Sequence, residues 1–186
     1  MKMLLSILLA ISLCFADGTN ICLADGAWIK GIAQDVNDGD TFNLIVAGQI
    51  IKVRIYGADS PEYRSNSPKL TQPYGKEAGD ALRTLIDGKE IRVKLTGDCN
   101  FNRLVGEPCL GDSLNVSLWM IKNGYAWWSK KHSENRIDFR EAEEEAKSKK
   151  LGLWTDNNPI APWNFSSRIK KKNGSKESEK KKSKKN

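Results

Sequence analysis

Three short segments with strand periodicity, separated by tight turns, restrict most strongly how this chain can fold. Residues 28–36 and 41–46 are apolar and rich in β-branched side chains, and Asn37-Asp38-Gly39 between them is a turn sequence. Residues 50–55 then alternate between apolar and charged side chains. Because side chains alternate between the two faces of a strand, Arg54 is predicted to point away from the core.

The second half of the chain changes to helical periodicity. Apolar residues recur at helical spacing in residues 74–87, 113–123 and 134–150, and a glycine ends or closely follows each segment. Residues 90–95 alternate again and predict one more half-buried strand, followed by a loop. This order is typical of a small closed barrel packed against helices. We therefore predict an α+β, mainly β fold, namely a five-stranded oligonucleotide-binding barrel with three packed helices.

The start of the chain differs in composition from the rest. A positive charge precedes an apolar block of about 13 residues, 3–15, which fits a secretory signal peptide. The block is shorter than the roughly 20 residues that a membrane-spanning helix needs. Cleavage after Ala16 or Ala24 would remove up to residues 1–24, leaving a folded domain over residues 28–165. A secreted or periplasmic protein is predicted.

The end of the chain carries most of its positive charge. The formal net charge is +7, and ten Lys or Arg lie between Arg168 and Asn186. Residues 166–186 have too few apolar side chains to form a core, so they are predicted to be disordered. Two interpretations stay open: a tether to polyanions or cell-surface phosphates, or a solvated end without a specific partner.

Two cysteines remain in the predicted domain. In an oxidising compartment Cys99 and Cys109 form a natural disulfide pair, which would close a loop around Arg103. The alternative is two reduced and unrelated thiols.

Carboxylates gather at the predicted strand ends. Asp40 precedes the second strand, and Asp59 and Glu62 follow the third. Carboxylates with a backbone carbonyl suit Ca²⁺ better than Zn²⁺, which prefers nitrogen and sulfur ligands. His132 is the only histidine, so a zinc nuclease is not expected, and we interpret His132 as an ordinary surface residue.

The same region contains side chains suited to phosphodiester hydrolysis. Arg54 and Arg103 can neutralise the charge on phosphate oxygens, and Glu62 can position or deprotonate a water. Spacing alone only suggests this chemistry, because Asp-Gly-Asp turns are common in hairpins and strand arginines are usually solvated or salt-bridged.

Several separated motifs follow one another in a fixed order. They are Val36-Asn37-Asp38-Gly39-Asp40-Thr41, residues 54–62, Tyr74-Gly75-Lys76-Glu77-Ala78, Arg103, Asn115, Gly124-Tyr125-Ala126, Ala142 to Ala146 and Gly152-Leu153-Trp154. In this order they closely resemble the staphylococcal nuclease family, over roughly residues 28 to 156.

The resemblance implies a calcium ion held by Asp40, Asp59 and the backbone carbonyl of Ser60. Family members usually have Thr at position 60, but a backbone ligand tolerates Ser. The family cleaves DNA and RNA endonucleolytically and leaves 3′-phosphate products. A monomer is expected from family habit.

The resemblance also implies roles for three catalytic side chains. Arg54 and Arg103 would contact the phosphate, and Glu62 would lie beside the attacking water. The usual Tyr-Gly before the second arginine is replaced here by Phe101-Asn102, which makes the assignment of Arg103 weaker than that of Arg54.

The tryptophans are interpreted mainly as packing residues. Trp127 and Trp128 stand near the place of tyrosines that help to hold a nucleotide in staphylococcal nuclease, yet adjacent tryptophans after a helix are more often core than stacking residues. Packing is likewise predicted for the remaining four, which are Trp28, Trp119, Trp154 and Trp163.

Two other functions compete with catalysis. One is a nuclease-like module that binds nucleic acid or protein without cutting, and such a module would be expected to lack some of the catalytic residues. The other is a calcium-binding envelope protein anchored by its basic tail, which leaves both arginines without a purpose.

Overall fold

The computed structural model describes residues 24–100 and 103–165. The predicted signal peptide, apart from Ala24, and the predicted disordered tail lie outside the described residues. Both therefore stay predictions. Among the described residues, no helix combines the length and apolar character needed to cross a bilayer.

The described residues form eight strands, three α-helices and a further helical turn at residues 162–165. The strands are β1 (Trp28–Gln34), β2 (Thr41–Val46), β3 (Gln49–Ile55), β4 (Ala58–Asp59), β5 (Glu90–Asn100), β6 (Arg103–Leu110), β7 (Leu114–Asn115) and β8 (Trp127–Trp128). The α-helices are α1 (Gly75–Ile86), α2 (Val116–Lys122) and α3 (Ile137–Ser148). Three short 3₁₀ turns lie at Pro68–Leu70, Lys130–His132 and Gly152–Thr155.

Five of the strands close into a barrel. Hydrogen bonding runs in the order β3-β2-β1-β5-β6, and β6 also pairs in parallel with β3, with Val53 beside Leu104. Closure leaves the barrel strands without a free edge. In open sheets an unpaired edge strand can pair with another chain and cause aggregation. The predicted five-stranded α+β barrel is confirmed.

The core lies inside the barrel and under the three helices. Inward-facing side chains of the strands are fully buried, as strand alternation predicts; examples are Phe42, Leu44, Val53, Ile91 and Val93. The helices contribute Ala78, Leu82, Ile86, Met120, Ile121 and Phe139 to the same cluster. Burial of this apolar surface is the main favourable term in folding.

The helices begin later than the periodicity alone predicts. The segment predicted as helix from residue 113 becomes helical only at Val116, because Leu114–Asn115 pairs with β6 as strand β7. The Asn115 side chain then caps the helix by accepting a hydrogen bond from the Leu118 N–H, at 3.0 Å.

The predicted loop after residue 95 is wrong, because β5 and β6 pair as antiparallel strands there, with an irregularity in the register between Leu95 and Cys99. In this pairing Cys99 lies opposite Leu104, whereas Cys109 lies opposite Arg92. Cys109 is thus five residues from the partner of Cys99, roughly 16 Å along the strand. A disulfide needs Cα atoms within about 7 Å. The predicted Cys99–Cys109 disulfide is therefore wrong, and Cys109 is a free, half-buried thiol.

The predicted packing of the tryptophans is only partly confirmed. Trp119 stacks on Tyr125 with ring centroids 5.7 Å apart, and Trp154 packs against another indole. Trp28 and Trp163, in contrast, are 47% and 48% exposed. For these two the predicted packing is not confirmed.

Candidate active site

Strand register places Arg54 beside the Asp38-Gly39-Asp40 turn. In the β2–β3 hairpin Thr41 lies opposite Arg54, and the Ile55 N–H donates to the Asp40 carbonyl at 2.8 Å. A Cβ at Gly39 would lie 2.7 Å from the Cβ atoms of Ala78 in α1 and of Ser60. Glycine therefore lets the turn pack closely against both residues. The turn is therefore fixed against the helix.

The Arg54 guanidinium joins the two predicted carboxylate groups. Its Nη1 donates to Asp40 and its Nη2 to Asp59, so one planar fork bridges both side chains. Burial would lower the pKa of Arg54, but the charges of Asp40, Asp59 and Asp38 outweigh it and raise the pKa above its ordinary value. Arg54 is therefore a permanent cation at this position.

Asp40 and Ser60 are buried and bound to each other. Asp40 Oδ2 accepts from the Ser60 N–H at 2.8 Å and from the Ser60 hydroxyl at 3.0 Å. Asp40 Oδ1 also accepts from the Thr41 hydroxyl at 3.0 Å. These bonds fix the bend that contains Asp59 and Ser60. The structure thus brings together all three residues of the predicted metal site.

Negative charge exceeds positive charge around Arg54. Burial, and then the charge of Asp40, raises the pKa of Asp38 to about 7 and that of Asp59 to about 6. Three carboxylates thus share one guanidinium in a poorly solvated place. Asp38 was not predicted as a site residue, although the Asp-Gly-Asp spacing was the signal that pointed to it.

The donor set fits a hard divalent cation. No group of three or more His, Cys, Asp or Glu side chains around a common metal position occurs in residues 24–100 and 103–165. A site made of two carboxylates and a backbone carbonyl does not require such a group. Carboxylate oxygens and an excess of negative charge, both present around Arg54, are features that a hard cation such as Ca²⁺ favours.

Arg54, Asp59, Glu62 and Arg103 line one cleft of about 960 Å³. The cleft therefore brings together all three predicted catalytic residues. Its other polar and aromatic lining includes Asp38, Arg64, Asp98, Trp128, Lys130, Lys131, His132 and Trp163. The Glu62 carboxylate is one-third exposed and lies 3.9 Å from the Arg64 guanidinium.

Arg103 reaches the cleft through the parallel pairing of β6 with β3. Val105 lies beside Arg54, and Arg103 lies two residues earlier, on the same outward face. The Arg103 Nε is buried and has no hydrogen-bond partner among the described residues. A buried donor without a protein partner at a polar cleft is suited to an incoming acceptor.

A buried glutamine holds the backbone of Glu62. The Glu62 N–H donates to Gln72 Oε1 at 2.9 Å, and the Gln72 N–H donates to the Glu62 carbonyl at 2.8 Å. Gln72 Nε2 donates to the Ile160 carbonyl at 2.8 Å. Gln72 is 4% exposed. Sequence analysis missed this residue, because its partners are distant in sequence and it belongs to no chemical motif.

Replacing Gln72 with Ala is expected to lower the free energy of unfolding by about 1 to 3 kcal/mol, since buried partners lose their hydrogen bonds. Urea unfolding measures this change. The control is Gln49→Ala, at an exposed position, where a change below about 0.5 kcal/mol is expected. Equal losses in both variants would contradict the proposed support of Glu62.

The segment after α2 forms one border of the cleft. Strand β8 pairs with β4, with Trp127 beside Asp59, and the Ser129 N–H donates to the Gly57 carbonyl at 2.9 Å. Trp127 is 7% exposed, so its predicted core role is confirmed, while half-buried Trp128 lines the cleft. His132 is exposed as predicted, and it also lines the cleft.

Comparison with known proteins yields one consistent family. The family described as "Staphylococcal nuclease homologue" matches residues 52–156. An uncharacterized endonuclease of Escherichia coli O157:H7 is 28% identical over 135 residues, which are 73% of this chain and 83% of that protein.

Two other relatives are also named as endonucleases. An uncharacterized endonuclease of Haemophilus influenzae is 34% identical over 128 residues, covering 68% of this chain and 67% of that protein. Endonuclease YhcR of Bacillus subtilis is 31% identical over 160 residues, covering 79% of this chain and 13% of that much longer protein. The family match covers more than half of the chain, including Arg54 and Glu62, and the barrel agrees with it, so the chain belongs to the staphylococcal nuclease family.

Proposed function

We propose that this protein is a calcium-dependent endonuclease that hydrolyses phosphodiester bonds of DNA and RNA and leaves 3′-phosphate ends. The observation that carries the proposal is the convergence of Arg54, Glu62 and Arg103 on one cleft, next to the carboxylates that bind Arg54. The endonuclease names of several relatives agree with this activity.

The two arginines would bind the scissile phosphate. Arg54 stays charged at any working pH, and its planar fork matches two phosphate oxygens. Arg103 offers a buried Nε that has no partner among the described residues. Charge that develops on the phosphate oxygens in the transition state is stabilised by donors already in position.

Glu62 would act on the attacking water. Glu62 lines the cleft and its backbone is held by Gln72, which supports a defined place for the residue before substrate binds. The water oxygen forms a bond to phosphorus, Glu62 orients the water or takes its proton, and the bond to the 5′-oxygen breaks. The leaving 5′-oxygen takes a proton from solvent, and the phosphate stays on the 3′ side.

Asp40, Asp59 and the Ser60 carbonyl would hold the calcium ion. When bound, the ion supplies positive charge against the phosphate oxygens. The carboxylates of Asp40 and Asp59 already lie around one guanidinium, and their charge exceeds what Arg54 neutralises. This excess supports binding of a cation close to Arg54.

We extend the proposal to the setting of the enzyme. The charged start and apolar block of residues 1–24 support export to a periplasm or out of the cell. The basic composition of residues 166–186 supports a disordered end that attracts polyanions. A monomer is proposed.

Digestion of single-stranded DNA and of RNA by the purified mature chain tests the activity. We expect cleavage with calcium, none with EGTA, and products that lose a terminal phosphate when treated with a 3′-phosphatase. Cleavage that is unchanged in EGTA would remove Asp40 and Asp59 from a calcium site. Tight binding without cleavage would favour the non-catalytic binding module.

A further inference from the structure

Trp163 is an exposed indole on the wall of the candidate active site. It is 48% exposed and lines the same cleft as Arg54, Glu62 and Arg103. It lies beyond residues 52–156, the part of the chain that matches the family. The indole therefore adds an aromatic surface to the cleft from a segment outside the matched region.

The segment that carries Trp163 is attached to the body of the domain. The Ile160 carbonyl accepts from Gln72 Nε2, and Ala161 is 8% exposed in a small cluster with Trp127 and Leu153. The N–H groups of residues 164 and 165 both donate to the Ala161 carbonyl at 3.0 Å and close a helical turn. The backbone on both sides of Trp163 is thus fixed by named contacts.

Cations border the same cleft. Arg64 lies two residues after Glu62, and its side chain is 64% exposed. Lys130 and Lys131 are exposed on the 3₁₀ turn after β8. Proteins bind single-stranded nucleic acid with aromatic platforms next to cations that contact the backbone. The cleft offers both, beside the four carboxylates of its lining, which are Asp38, Asp59, Glu62 and Asp98.

We propose that Trp163 stacks on a nucleobase next to the scissile phosphodiester, and that it makes the enzyme bind single strands more tightly than duplex. This inference rests on the proposed function, since it assumes a polynucleotide in the cleft. The strand preference follows because the faces of duplex bases are already covered by their neighbours, whereas an unpaired base can leave its stack and lie on an indole.

The chain offers a matched control for an exposed tryptophan. Trp28 is 47% exposed and is not among the residues that line the cleft. Trp28→Ala therefore removes as large and as accessible an indole as Trp163→Ala does. A difference in oligonucleotide affinity between the two variants therefore depends on where the indole lies and not on its size.

The experiment measures binding without turnover. Full-length chains carrying Glu62→Gln are titrated, in calcium, into a labelled single-stranded oligonucleotide of about ten nucleotides and into its duplex, with fluorescence anisotropy as the readout. We expect Trp163→Ala to weaken single-strand binding about 5- to 100-fold, the usual effect of losing one stacked base. Trp163→Phe should restore most of it, and Trp28→Ala should stay within about twofold of the parent.

Three outcomes would overturn the inference. They are equal single-strand affinities of the Trp163→Ala and Trp28→Ala chains, no recovery with Trp163→Phe, and equal losses of Trp163→Ala on single strand and duplex. Because no cleavage is needed, the result stands apart from the digestion assay. A protein that binds through Trp163 but fails to cut DNA or RNA would contradict the proposed activity and leave the stacking subsite in place.

Discussion

Replacing Arg54 with Ala is expected to lower kcat/KM for single-stranded DNA by about a thousandfold. The Arg54 guanidinium forms ion pairs with both Asp40 and Asp59, which hold it in place at the cleft. Removing one preorganised donor to a developing anion typically costs about 10² to 10³ in rate. The loss should appear at saturating calcium. Initial rates of oligonucleotide cleavage measure it, and an unchanged rate in a folded Arg54→Ala protein would refute the assigned role.

The same substitution is expected to destabilise the protein when calcium is absent. Asp40 is nearly fully buried, and removing one partner of a buried ion pair costs about 3 to 5 kcal/mol. Added calcium should restore part of the loss, because a cation again neutralises the carboxylates. Thermal unfolding with calcium and with EGTA measures both effects.

One further variant separates the charge of Arg54 from the geometry of its guanidinium, and a second variant is a surface control. Arg54→Lys keeps the positive charge but loses the planar fork, so we expect it to retain more stability than Arg54→Ala while most activity is lost. Arg140→Ala on α3 is the surface control, since its side chain is 52% exposed and makes one long ion pair. If Arg140→Ala loses as much activity as Arg54→Ala, the effect does not come from the cleft.

Glu62→Gln is expected to lower kcat by about 10² to 10⁴, the usual contribution of a positioned general base. The substitution preserves shape, and the backbone bonds between Glu62 and Gln72 do not involve the carboxylate, so stability should change little. Substrate affinity should be nearly unchanged. Single-turnover cleavage, together with the dissociation constant of the oligonucleotide, measures the two separately.

The matched control for Glu62 is Glu144→Gln, at a side chain that is 67% exposed on α3. It should cleave at the parental rate. A Glu62→Gln protein that is folded and fully active would show that water is activated without this carboxylate. A large loss of affinity with an unchanged kcat would instead make Glu62 a binding residue.

Local periodicity was enough to predict most of the barrel. From Ile51 onward every second side chain of β3 is buried, and Arg54 points outward as the alternation requires. This works because side chains alternate between the two faces of a strand, whatever segment pairs with that strand. The predicted first residues of the helices were less accurate. Asn115, for example, pairs with β6 through its backbone and caps α2 with its side chain, so it is not itself helical.

Pairings between distant segments could not be predicted in the same way. Predicted export and the two cysteines that remain in the domain made a Cys99–Cys109 disulfide plausible, but the β5–β6 register places the two positions far apart along the ribbon. Register is set by side chains and turns on both strands together. A sequence pattern within one strand does not contain it.

By itself the sequence determined most of the barrel strands, the three main helices and the types of residue that phosphodiester hydrolysis needs, because periodicity and side-chain chemistry are local properties. Only the tertiary structure decided that Arg54 bridges Asp40 and Asp59, that Gln72 supports Glu62, and that Trp163 reaches the cleft. Each of these contacts joins residues brought together by strand register, by a bend or by a docked segment. Such contacts depend on how the whole chain closes around its core.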